Sequence, residues 1–127
     1  MGRYQRAMER TGLDLAARCV SNPADVVAWT YDEDPLVRRL AAKVLCPCAV
    51  KANVPEVWDR LLEMTSDANP GVRLDVVHAL ADGSPVELAS EIAKVLEGLH
   101  NDPDVKVRKR VRSVLTAYRK TGRVNVL

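Results

Sequence analysis

Along residues 32–45 the apolar positions Val37, Leu40, Ala41, Val44 and Leu45 recur at steps of three and four, which places them on one face of an α-helix. This segment, DEDPLVRRLAAKVL, is followed by two near-copies, DANPGVRLDVVHAL from Asp67 and DPDVKVRKRVRSVL from Asp102. The step between copies is 35 residues: it separates Val37, Val72 and Val107, and equally Leu45, Leu80 and Leu115. A fixed period of this length predicts a stack of supersecondary units, none able to bury its apolar face alone.

A second helical pattern precedes each copy. NPADVVAWTY starts with Asn22 as an N-cap and Pro23 at the first helical position. NVPEVWDRLLEMT presents Val54, Val57, Trp58, Leu61 and Leu62 at helical spacing. SPVELASEIAKVLEGL opens with Ser84 and Glu87 in capping-box register, followed by Leu88, Ala89, Ile92, Val95, Leu96 and Leu99. The Pro, Asp and Asn clusters between the two patterns (DEDP, DANP, NDPD) are turn chemistry. Each unit is therefore read as helix, turn, helix, with repeats over 22–49, 53–82 and 84–121 in a single domain. A capping helix over 3–20, interrupted near Thr11-Gly12, precedes them. Trp29 and Trp58 are expected in the core, and the terminal RVNVL is expected to fray.

The repeated residues resemble the HEAT repeat family. The pattern is an Asp, a turn with Pro, a Val-Arg pair and a small or β-branched residue four positions after the Val. It is met by Asp32, Pro35, Val37-Arg38 and Ala41; by Asp67, Pro70, Val72-Arg73 and Val76; and by Asp102, Pro103, Val107-Arg108 and Val111. Pro103 stands two residues earlier in register than its counterparts, which leaves the third turn open. The period is slightly shorter than in typical HEAT units and is similar to that of the compact HEAT-like repeats of bacterial proteins such as phycobilisome lyases. The resemblance implies an all-α fold: a right-handed α-solenoid of three helix-turn-helix repeats with an N-terminal capping helix. It also implies that Asp32, Asp67 and Asp102 bond with Arg38, Arg73 and Arg108 in a structural ladder between units.

In such solenoids the second helices line the concave face. At 100° per residue, the positions turned from the core are Arg39, Ala42, Lys43 and Cys46, then Leu74, Val77, His78 and Ala81, then Lys109, Arg112, Ser113 and Thr116. The ends of this stripe are basic and its middle is apolar, the pattern of a surface that receives a protein partner. The expected contact residues are Arg39, Lys43, Leu74, Val77, His78, Lys109 and Arg112. Asp75 and Arg110 interrupt the inner stripe, since both take the register of Leu40.

Charge adds a rival reading. The net charge is only +2, yet all 17 acidic residues lie at or before Asp104, and residues 1–104 sum to −6. The last 23 residues carry +8. A nucleic acid or other polyanion could be held by Lys106, Lys109, Arg110, Arg112, Arg119 and Lys120. Against this stand the acidic body, the lack of an aromatic stacking platform, and the ordinary fit of basic residues to a helix C-terminus.

Three cysteines, Cys19, Cys46 and Cys48, with no export signal in MGRYQRAMER, argue for reduced thiols and a cytoplasmic setting. CPC is not the Cys-x-x-Cys spacing of zinc or redox centres, and neither His78 nor His100 stands at ligand spacing from a cysteine. No metal or cofactor is expected. No phosphate loop or nucleophile elbow is present, so no catalysis is expected either. No apolar run reaches the roughly 18 residues of a membrane span. The reading is a scaffold for a protein partner, with nucleic acid second, and a monomeric or weakly self-associating chain.

Overall fold

Four prolines set the starts of four helices. Pro23, Pro35, Pro55 and Pro70 each occupy a first helical position, where the missing N–H would have no partner and φ is already near the helical value. The computed structural model describes residues 2–15, 22–46 and 54–127. Within them run seven α-helices: α1 (Gln5–Thr11), α2 (Pro23–Trp29), α3 (Pro35–Val44), α4 (Pro55–Glu63), α5 (Pro70–Leu80), α6 (Ala89–Glu97) and α7 (Val105–Thr121). Short 3₁₀ turns at Met64–Ser66 and Val86–Leu88 complete the list, and no strand occurs among the described residues.

The repeating turns are built by carboxylates and one amide. Asp34, Asn69 and Asp104 are the N-caps of α3, α5 and α7, and each side chain accepts a backbone N–H from the first turn. Two residues earlier, Asp32, Asp67 and Asp102 each accept the backbone N–H of that cap residue. The early Pro103 therefore leaves the turn in register: Val105 takes the place of Pro35 and Pro70 after an equivalent cap residue.

Two layers result. The second helices α3, α5 and α7 pack side by side, while α2 packs on α4 and α6 on α7. Between the layers lie Val37, Leu40, Leu45, Leu61, Val72, Val76, Leu80, Ile92, Leu96, Val107, Val111 and Leu115, all essentially without solvent exposure. Each such side chain contributes roughly 1.5–3 kcal/mol through its burial. Trp58 joins this core and Trp29 is packed against it, half-buried. Helix α5 is covered on both sides by its neighbours, so its apolar residues extend around most of its circumference.

Between repeats runs the ladder that the resemblance implied. Arg38 meets Asp67 at 2.9 and 3.0 Å, and Arg73 meets Asp102 at 2.8 and 2.9 Å, each through Nε and one terminal nitrogen. The other terminal nitrogen of Arg38, Arg73 and Arg108 donates to two carbonyls of its own turn. An additional rung comes from outside the three repeats. Arg10 of α1 forks onto Asp32, and α1 packs against α3 in the position of a preceding second helix.

Helix α1 closes at Gly12 in the left-handed conformation that glycine adopts without strain, which is the interruption expected near Thr11-Gly12, and residues 16–20 of the expected capping segment lie outside the described set. One terminal expectation changes. The C-terminal RVNVL does not fray. Val124 is buried, Asn125 accepts from the N–H and hydroxyl of Ser84 and donates to its carbonyl, and the N–H groups of Val126 and Leu127 reach the Ala81 carbonyl. Ser84 is consequently spent on the tail and caps nothing, and a 3₁₀ turn leads into α6 instead of a capping box.

Candidate functional site

The exposed edges of α3, α5 and α7 form the face that the resemblance assigns to the concave side. Because α3 and α5 lie side by side, residues 39 and 43 on the first meet 74, 75 and 78 on the second. Together with Leu15, Cys46 and Arg110 they line an open hollow of about 440 Å³. A second hollow of about 320 Å³, lined by Leu74, Lys106, Lys109 and Arg110, continues it along α7. Leu74 and Arg110 border both.

Asp75 organises the first hollow. Its carboxylate takes Nε of Arg39 at 2.8 Å and Nζ of Lys43 at 3.2 Å, so one buried anion pairs with two bases from the preceding repeat. The hydrogen bond to Asp75 lifts the Arg39 guanidinium above its ordinary pKa, outweighing the opposite effect of burial. Lys43 also lies 5.9 Å from the Tyr4 ring centroid, which brings α1 toward the same wall. The Arg39 guanidinium rests where position 71 has no side chain: a Cβ on Gly71 would fall 2.7–2.9 Å from its atoms. The interruption of the apolar stripe at Asp75 is thus a charged crossbrace between repeats. At the other end, Lys106 and Lys109 form no ion pair among the described residues.

Of the seven expected contact residues, Arg39, Lys43, Leu74, His78 and Lys109 lie on this face. Val77 does not: it is fully buried, as are its register partner Ala42 and Ala81 four residues further along the chain. Positions 42 and 77 follow the ladder residues 38 and 73 by one helical turn and so face the next repeat, which covers them. Arg112 shares that register on α7. There its Nε donates to the His100 carbonyl and a terminal nitrogen to the Asn101 side chain, away from the hollow. Arg110, assigned by sequence to the polyanion reading, is the base that borders both hollows. The six polyanion candidates do not share one surface: Lys106, Lys109 and Arg110 lie by Leu74, Arg112 is tied to the α6–α7 turn, and Arg119 pairs with Glu97 at 2.9 Å.

Sequence reasoning missed a cluster two of whose members, Cys46 and His78, line the larger hollow. Cys46, just past the end of α3, His78 on α5 and Asp82 just beyond it bring a sulfur, a ring nitrogen and a carboxylate oxygen within 4.8 Å of one another. Asp82 Oδ2 lies 3.4 Å from Cys46 Sγ and 3.6 Å from His78 Nε2. The other ring nitrogen, Nδ1, is 3.4 Å from Nη1 of Arg110. Cys19 and Cys48 lie outside the described residues.

A regular stack of two-layered helical hairpins with an inter-repeat Asp-Arg ladder defines an α-solenoid. The family model for HEAT repeats matches residues 23–116, and the chain belongs to that family. No curated protein and no solved structure gives a match. Among the described residues, no helix is long and apolar enough to cross a membrane.

Proposed function

We propose that the protein is a non-catalytic scaffold that holds a protein partner on its concave face. HEAT repeats commonly mediate protein–protein interaction, and the observation carrying the proposal here is the pair of joined hollows with half-buried Leu74 between them. Leu74 supplies an apolar anchor, and Lys106, Lys109 and Arg110 beside it supply uncompensated positive charge. That combination suits a segment with an apolar side chain followed by acidic ones. Arg39 and Lys43, already engaged by Asp75, shape the opposite wall.

A Leu74→Glu/Lys109→Glu variant tests the reading. It should unfold at nearly the wild-type temperature, because neither side chain is fully buried, and lose the partners that wild-type protein captures from its host. A well-folded variant that retains them all overturns the proposal.

The polyanion reading rests on Lys106, Lys109 and Arg110, three neighbouring bases on α7. Binding of a labelled duplex that weakens steeply with salt would favour it. No binding at low salt would remove it.

A further inference from the structure

We infer that Cys46, His78 and Asp82 bind a divalent transition-metal ion of the Zn²⁺ class, pinning the first repeat to the second. The inference stands apart from the protein-binding proposal. It begins with the donor set. Thiolate, imidazole and carboxylate together suit zinc and cobalt, whereas calcium and magnesium take oxygen donors almost alone.

The geometry is close to what such an ion needs. With bonds of roughly 2.0–2.3 Å and tetrahedral angles, neighbouring donor atoms sit about 3.4–3.6 Å apart. Asp82 Oδ2 already stands 3.4 Å from the sulfur and 3.6 Å from Nε2 of His78. The whole set lies within 4.8 Å, so binding requires only a small closure of the sulfur–imidazole edge.

The scaffold holds the donors for reasons independent of any ion. His78 and Asp82 are one helical turn apart at the end of α5, and Cys46 is buried at the end of the adjacent α3. One ligand therefore comes from the first repeat and two from the second, and the set exists only when the repeats are stacked. A thiolate and a carboxylate carry two negative charges, which a divalent cation balances. The nearby bases Arg39 and Lys43 are already held by Asp75 and do not compete for Asp82. Cys46 and His78 also line the larger hollow, so the fourth tetrahedral position opens toward it and toward a water or a donor from a bound partner.

Arg110 opposes the ion. Its Nη1 faces His78 Nδ1, and that nitrogen must carry a proton when Nε2 binds metal. Metal entry thus turns Arg110 away, and an Arg110→Gln variant should bind metal more tightly than wild type.

Cobalt titration of the reduced full-length chain is the test. Wild type is expected to take up one equivalent of Co²⁺ with visible d–d bands and a near-ultraviolet thiolate-to-cobalt band, both abolished by Zn²⁺. Cys46→Ser should lose the thiolate band, and a Cys19→Ser/Cys48→Ser variant should keep it. His78→Ala alters a side chain that is 43% exposed, so it should remain helical by circular dichroism while its Co²⁺ affinity falls by at least about tenfold. Absence of the band in wild type, its persistence in Cys46→Ser, its loss in the Cys19/Cys48 variant, or unchanged affinity in folded His78→Ala would each overturn the site.

Discussion

Arg10 holds Asp32 as Arg38 holds Asp67: two guanidinium nitrogens on two carboxylate oxygens, across a boundary between stacked units. Helix α1 thus contributes the arginine of a further rung. The rungs differ in exposure. Arg10 is 54% exposed, whereas Arg73 and Asp102 are 11% and 3% exposed. Removing one member of a buried pair strands the other, at a cost of about 3–5 kcal/mol. Arg73→Ala should therefore lower stability in urea by about that amount, and Arg10→Ala by clearly less. Equal losses would show that the rungs are energetically alike despite their exposure.

Acid should act through the same carboxylates. Burial pushes the Asp102 pKa up, but the bond from Arg73, the Asp104 backbone N–H and the charges of Arg73 and Arg108 outweigh it, leaving the group below its ordinary 3.8. Asp32 is likewise lowered, chiefly by its bond to Arg10. A carboxyl depressed in the folded state stabilises it fully above the unfolded value, and that contribution disappears as pH falls through the folded value. Unfolding free energy should decline as pH falls below about 4, and Asp102→Asn should flatten the decline. Urea titrations at a series of pH values measure both.

The tail is a structural brace. Deleting residues 123–127 uncovers the pocket of Val124 and releases the bonds of Asn125 to Ser84. Burial of one valine and two to three net hydrogen bonds predict a loss of about 2–4 kcal/mol, readable in thermal or chemical unfolding. An unchanged midpoint would mean that the tail adds nothing to the fold.

Gly71 and Arg39 should be coupled. Alanine is favoured over glycine in a helix by about 0.5–1 kcal/mol, yet its Cβ would displace the guanidinium that reaches Asp75. Gly71→Ala should therefore stabilise an Arg39→Ala background and be neutral or harmful in wild type. A double-mutant cycle should give a coupling of about 1 kcal/mol. Additive effects would place Arg39 elsewhere.

The ladder and the paired helices were legible because the same residue types recur at one step three times, and only a stack explains that. Val77 was misplaced for a physical reason. Helical periodicity separates the core from its opposite face, but it does not reveal which flank the next repeat covers. Ladder register does reveal it, since residue 77 lies one turn beyond Arg73. The rung from Arg10 escaped because it spans 22 residues where the others span 29. The cysteine–histidine–aspartate cluster escaped for a related reason: its members meet across two repeats, where no short spacing motif can record them.

The central claim is that partners are received on the concave face, and photo-crosslinking from single positions tests it most directly. A photoreactive residue replacing Leu74, between the hollows, is compared with one replacing Val86, which is 81% exposed on the turn before α6. In host extract, adducts should form from position 74 and be absent from position 86. Adducts from position 86 with none from position 74 would contradict the account.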